Sequence, residues 1–237
     1  MGEGAYDRVV SMDEAFADRY DEWSSGMTED IPFYVGLAQD ASGPIVELAV
    51  GNGRVAIPVA KATRQTVIGI DTSPAMLAHA AEAAEAAGVT LDLRLGDMRD
   101  LELDSPAALI YCPYRALLHL PTWSDRRRTF ERVGAALESG GRFAWNVFAF
   151  DHNVAAGLDG KPQLDPVAHT LEYDVADNRL DIVLESGEKS SLWWATKNEM
   201  LGLIDVAGLD LEALYGSFSH GPLTSESGEY IFVTRKP

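Results

Sequence analysis

Cysteine is nearly absent from this chain. The single thiol, Cys112, excludes an intrachain disulfide and leaves no cysteine-based metal site. One unpaired thiol suits a reducing compartment, so a cytoplasmic location is expected. Basic residues are also scarce: 19 Lys and Arg stand against 37 Asp and Glu, a net charge of −18. A surface this acidic repels phosphate backbones and anionic lipid headgroups, so neither nucleic acid nor a membrane is the expected partner. The one dense basic run, Arg126-Arg127-Arg128, reads as the solvated face of a helix. No apolar run approaches the ~18 residues a spanning helix needs. The first ten residues carry Glu3 and Asp7 and lack a basic segment followed by an apolar one, so they do not read as a signal peptide. His, Asp and Glu are not clustered at ligand spacing, and no metal is expected.

What is present is a chain of 237 residues with 46% hydrophobic composition, enough for one large α/β domain or one domain with an insert. Its organising stretch is 45–54, Ile-Val-Glu-Leu-Ala-Val-Gly-Asn-Gly-Arg. This reads as a buried strand that ends in a glycine pair and runs into a helix over 55–62. A second strand over 66–70 stops at Asp71. Such a βαβ unit suits a nucleotide-like ligand: glycines allow close backbone approach, and the acid accepts hydrogen bonds from ribose hydroxyls. Thr72-Ser73-Pro74 opens an alanine-rich helix to Ala87, closed by Gly88. Strands follow at 91–95 and 107–111, then a helix over 124–138 stopped by Gly140-Gly141, then a fifth strand over 142–147. The alternation predicts an open sheet with helices on both faces.

Upstream, residues 11–23 and a second segment capped by Thr28 read as amphipathic helices, so 1–44 forms a helical cap and 45–150 the core. Residues 151–195 break the rhythm: Leu171, Tyr173 and Val175, then Leu180, Ile182 and Leu184, then Leu192 and Trp194 predict a three-stranded antiparallel meander, a lid or platform over the site. In 196–237, Thr196 and Glu199 form a capping box for a last helix, and a closing antiparallel hairpin completes the core.

In an open α/β sheet the ligand lies at the carboxyl ends of the strands, and the glycine pair, Asp71 and Asp97 all fall there. In this arrangement the sequence resembles a class I S-adenosylmethionine-dependent methyltransferase of the small-molecule type, over about 45–148 with a family-like tail. Glu47-Leu48-Ala49-Val50-Gly51-Asn52-Gly53 matches the first motif, with Ala49 in place of its first glycine, a departure compatible with a negative φ. Gly-Ile-Asp-Thr-Ser-Pro-Ala-Met-Leu matches the second, with Asp71 on the ribose, Thr72 beside it and Met76 under the adenine. Gly96-Asp97-Met98 matches the adenine-binding acid and its neighbour, and Gly140-Gly141 the turn before the fifth strand. The fourth-strand acid of the family is missing at 105–108.

The resemblance implies a Rossmann-like, doubly wound, seven-stranded sheet with its last strand antiparallel, here with the meander inserted. It implies transfer of a methyl group from S-adenosylmethionine to N, O or C of a small organic acceptor, leaving S-adenosylhomocysteine. Tyr20 and Trp23 then either close over the methyl donor, with Tyr20 also a catalytic candidate, or form a packing stripe. Arg54 either pairs with the methionine carboxylate or is a surface helix residue. Tyr34, Tyr114, Arg115, Asn146, Phe148 and Trp194 are candidate acceptor contacts. His119, Asp151 and His152 are candidate catalytic groups, although a lone His among apolar residues is commonly a core residue and loop polar groups are commonly solvated. A monomer or homodimer is expected. Two other readings remain open: a non-catalytic S-adenosylmethionine-binding regulator and a nicotinamide-dependent dehydrogenase.

Overall fold

The structure is a computed structural model that describes residues 26–165 and 167–237. The predicted helix over 11–23, with Tyr20 and Trp23, lies outside the described residues.

The central sheet has seven strands. These are β1 (Ile45–Leu48), β2 (Val67–Asp71), β3 (Leu91–Leu95), β4 (Ala107–Cys112), β5 (Leu137–Phe148), β10 (Asp210–Tyr215) and β11 (Glu229–Arg235). Their spatial order is β10-β11-β5-β4-β1-β2-β3. β1 pairs parallel with both β2 and β4, while β11 runs antiparallel to β5 and β10. The chain leaves β1 in one direction toward β2 and β3, and returns on its other side through β4. The crevice for a ligand therefore opens beyond the ends of β1 and β4.

Alternation along the strands splits the core in two. On one face Ile110, Cys112, Phe143 and Trp145 pack with helices α4 (Trp123–Ala136) and α6 (Lys197–Val206). Trp145 is stacked between Phe143 at 4.5 Å and Phe232 at 4.9 Å, with Phe130 of α4 edge-on at 5.0 Å. Each such aromatic pair adds about 0.5–1.5 kcal/mol beyond its area burial. On the other face Ile45, Leu109, Tyr111 and Ala144 pack with α1 (Ile31–Gln39) and α2 (Ala56–Thr63). The helix α3 (Pro74–Ala87) begins at the Ser73 cap, whose Oγ accepts from the Met76 N–H, and ends at Gly88 with φ 68°.

A second sheet is inserted between β5 and α6. It follows a short helix, α5 (His152–Leu158), and contains β6 (Pro162–Gln163), β7 (His169–Asp174), β8 (Arg179–Leu184) and β9 (Lys189–Trp193) in sequential antiparallel order. The expected meander thus gains a fourth, two-residue strand, whose Pro162 gave no strand signal.

Four local expectations are corrected. Asp30, not Thr28, occupies the N-cap of α1, because Pro32 fixes the first turn. The strand β5 begins at Leu137, so Gly140-Gly141 lies within an irregular strand pairing rather than after a helix end. A Cβ on Gly141 would meet the Ala107 carbonyl oxygen at 2.8 Å, which explains the glycine there. The capping box is half formed: Thr196 caps the Glu199 N–H, but the Glu199 carboxylate accepts from Arg126 Nη1 at 2.6 Å. Arg126 is consequently buried between α4, α6 and the Trp193 carbonyl, and only Arg127 and Arg128 lie on the exposed helix face.

Candidate active site

Beyond Leu48 the backbone turns sharply three times into the left-handed region, at Ala49 (φ 54°), Gly51 (φ 54°) and Gly53 (φ 82°). Gly51 and Gly53 adopt it at no steric cost. Ala49 does not: the expected negative φ is overturned, and its Cβ carries about 1–2 kcal/mol of strain. Asn52 braces the turn by accepting from the Arg54 N–H at 3.1 Å. Gly69 on β2 makes room for it, since a Cβ there would stand 2.8 Å from Val50 Cγ2.

Asp71, at the end of β2, is buried and fastened at both carboxylate oxygens. The Gly51 N–H donates to Oδ2 at 2.8 Å and the Ser73 N–H to Oδ1 at 2.9 Å. Asp71 and Gly51 both line a cavity of about 530 Å³. A carboxylate fixed beside a glycine turn at a cavity wall is an acceptor of the kind that suits a vicinal diol. Under the turn, Glu47 is buried. Its Oε2 and the Tyr111 hydroxyl have no hydrogen-bond partner among the described residues. Burial pushes the Glu47 carboxyl up to about 8, against the opposing influence of Tyr111 and the Arg54 charge, so it is protonated at neutral pH.

The other cofactor candidates are placed less uniformly. Met76 is fully buried beneath the α3 N-terminus, and Met98 is half-buried. Thr72 is exposed. Asp97 accepts from the Arg99 N–H at 2.8 Å and from its guanidinium at 2.6 Å. Partial burial disfavours its charge, but the bonds from Arg99 outweigh that and hold its carboxyl below the usual range. Arg54 grips Asp30 with both terminal nitrogens at 2.6 Å and sits 5.1 Å above the Tyr114 ring, tying the start of α1 to the turn. Its guanidinium is therefore committed to protein partners.

After β4 the chain passes through Tyr114 (φ 57°) and Arg115 (φ 64°), two consecutive non-glycine residues in the left-handed region. Such strain persists only where surrounding contacts hold it. Here Arg115 forms a two-nitrogen ion pair with Glu229 on β11, its Nε at 2.7 Å, and lies over the Phe148 ring at 5.7 Å. Glu229 in turn accepts from Asn146 Nδ2 at 3.1 Å, and Asn146 Oδ1 accepts from the Tyr34 hydroxyl at 3.1 Å. Tyr34 and Asn146 are thus buried supports of this turn and are not among the residues lining the cavity. Tyr114, Arg115 and Phe148 line it directly.

His119 ends a 3-10 turn, Ala116–His119, and also lines the cavity. Its Nδ1 lies 3.2 Å from the Ser191 carbonyl oxygen. A carbonyl only accepts, so Nδ1 carries the proton and the neutral ring keeps its lone pair on Nε2. Burial lowers its pKa, against a smaller upward pull from the Ser191 carbonyl. Asp151 lines the cavity but is committed to capping α5 through the Asn153 N–H at 2.7 Å. His152 is exposed, edge-on to Phe150, and not among the lining residues. Trp194 is buried and stacked on Phe150 at 3.9 Å, so it supports a cavity residue from behind.

The residues that sequence reasoning missed come mostly from the insert. His169, Leu171 and Tyr173 of β7 share one face, and that face joins Leu180, Ile182 and Leu192 in the cavity wall. The strand register explains the grouping, since Leu171 lies opposite Ile182, and Leu180 opposite both Tyr173 and Leu192. The alternation was visible, but which solvent or cavity the apolar face met was not. The loop 225–228 between β10 and β11 also lines the cavity and carried no signal. Among the described residues there is no cluster of three or more His, Cys, Asp or Glu suited to a metal, and no helix long and apolar enough to cross a membrane.

Comparison with known proteins agrees with this geometry. Residues 45–141 match a family model described as a methyltransferase domain. A protein of Geobacillus sp. (strain WCH70) whose name proposes methyltransferase activity is 31% identical over 152 residues, 62% of this chain; the match spans only 57% of that protein. Among solved structures, the CcbJ methyltransferase from Streptomyces caelestis superposes with a TM-score of 0.78 at 25% identity, over 93% of this chain and 96% of that one. Streptomyces venezuelae DesVI has a TM-score of 0.71 at 19% identity, covering 93% and 98%. The S-adenosylmethionine-bound amino pentose methyltransferase CalS10 from Micromonospora echinaspora has a TM-score of 0.68 at 19%, covering the whole of both chains. Residues 45–141 are thus a methyltransferase domain, and the chain has the class I fold.

Proposed function

We propose that this chain transfers the methyl group of S-adenosylmethionine to a nitrogen, oxygen or carbon of a small organic acceptor. The observation that carries the reading is continuity: one cavity is lined by Asp71, by Gly51 of the glycine turn and by His119. S-adenosylmethionine supplies an electrophilic methyl on a sulfonium. Asp71, Gly51 and the turn around Glu47 hold the donor side. Tyr114 and Phe148 orient the acceptor at the junction, where alignment of reactants can contribute roughly 7–11 kcal/mol. The insert excludes water from that junction. Where the acceptor atom carries a proton, His119 Nε2 receives it as the new bond forms, because burial keeps the ring neutral at pH 7.

The net charge of −18 supports a small molecule over a nucleic acid as acceptor. We place the chain in the cytoplasm, as a monomer or homodimer; the single, buried Cys112 is consistent with a reducing compartment. Calorimetry with S-adenosylmethionine, S-adenosylhomocysteine and NAD tests the donor. Tight NAD binding without S-adenosylmethionine binding would sink the proposal. A metabolite screen with labelled methyl donor tests the transfer, and donor binding without any labelled product would leave a non-catalytic binder.

A further inference from the structure

The cavity is larger in chemistry than its donor end requires. One side of it is the inner face of the inserted sheet, where Leu171, Leu180, Ile182 and Leu192 form a continuous apolar layer across three strands. An apolar layer that meets a cavity matches an apolar surface of its occupant. Elsewhere around the cavity, carboxylates predominate among the described charged lining residues. Asp151 and Glu226 are carboxylates, whereas Arg115, the one Lys or Arg among the described lining residues, is neutralised by Glu229 at 2.7 Å. Among the described lining residues, an anionic occupant would face carboxylates and no uncommitted Lys or Arg, an arrangement that costs affinity.

Resting on the methyl-transfer reading, we infer that the acceptor is an uncharged or cationic amphipathic molecule whose apolar body lies on the insert. Acceptors carrying phosphate, sulfonate or carboxylate groups are rejected. The polar end of such a molecule points away from Leu171 and Ile182, toward His119 and Tyr114. The insert is then a specificity platform, and its inner face sets which acceptors enter.

Two fluorescent probes separate the classes. N-phenyl-1-naphthylamine and 8-anilinonaphthalene-1-sulfonate share their ring system and differ by one sulfonate. In the protein saturated with S-adenosylhomocysteine, one molecule of the neutral probe should bind per chain, at least about tenfold more tightly than the sulfonate. Leu171→Asp should weaken the neutral probe at least about tenfold, by placing a carboxylate on the apolar layer, with S-adenosylhomocysteine affinity retained as the control for folding. If that variant does not fold, Leu171→Ala should weaken the probe about fivefold by removing apolar contact. Equal or tighter sulfonate binding, or probe binding indifferent to both substitutions, overturns the acceptor class while leaving methyl transfer standing. Failure of the unaltered protein to bind S-adenosylhomocysteine overturns the methyl-transfer reading itself.

Discussion

The glycine-turn end and the insert side of the cavity, the proposed donor and acceptor sides, are built by different means. At the donor side the backbone makes the contacts: Gly51 and Ser73 N–H groups fix Asp71, and three left-handed residues bend the turn. Backbone geometry of that kind demands particular residue types at particular spacings. At the acceptor side the wall is the inner face of β7, β8 and β9, made of interchangeable apolar side chains set by strand register. A site built from backbone leaves a motif in the chain, and a site built from one face of a sheet leaves only an alternation.

The contrast can be broken or sharpened by measurement. The largest expected effect lies beneath the turn. Glu47 is held near 8 when folded, against 4.5 in its ordinary state, so the folded protein binds more protons between those values and stability falls as pH rises through them. Glu47→Gln should remove that fall, raising stability at pH 9 by roughly 5 kcal/mol, at about 1.4 kcal/mol per pH unit, with little change at pH 4. Chemical denaturation across pH reads it, and parallel curves for both proteins would show that Glu47 is not the buried acid it looks to be.

Next is His119. Its replacement by Gln should lower kcat about 10²–10⁴-fold for an acceptor that must lose a proton, and much less for one that arrives deprotonated. Because its pKa is depressed, the activity of the unaltered protein should fall only as pH drops below the ordinary imidazole range. A profile unchanged in the variant would remove His119 from the chemistry and leave it as a support for the insert through Ser191.

Asp71→Ala should weaken S-adenosylhomocysteine by about 3 kcal/mol, since it deletes charge-assisted bonds and strands two backbone donors. Calorimetry showing affinity within a few-fold would mean the donor side is not organised by its backbone. The smallest effect is at Ala49. Ala49→Gly relieves the strain of φ 54° but adds unfolded-chain entropy, for a net gain of about 0.5–1 kcal/mol. A modest rise in Tm tests it, and a drop would show that the methyl group packs usefully against the cavity.

Legibility followed the same division. Gly51, Asp71 and Ser73 were recognisable because each conformation or bond admits few residue types. Arg54 was recognisable as a position, but its pairing with Asp30, 24 residues away, is a tertiary fact; Asp97 is held by Arg99 two residues on, a local bond. Tyr34, Asn146 and Trp194 are site candidates because they sit in the N-terminal cap, at a strand end and in the insert, yet packing turns them behind the wall. Glu229 lies 114 residues from Arg115, and no local pattern links two residues whose contact depends on β11 pairing beside β5.

By itself, then, the chain determined the strand and helix order of its core from β1 to β5, its glycine turn and the carboxylate after β2, because local sterics and capping depend on residues a few positions apart. Only the tertiary structure decided that Ala49 is strained, that Glu47 is a buried acid, and that the insert turns its apolar face to the cavity. Those outcomes depend on what comes to lie across each residue, which sheet register and layer packing set, as when Tyr111 of β4 is placed opposite Glu47 of β1.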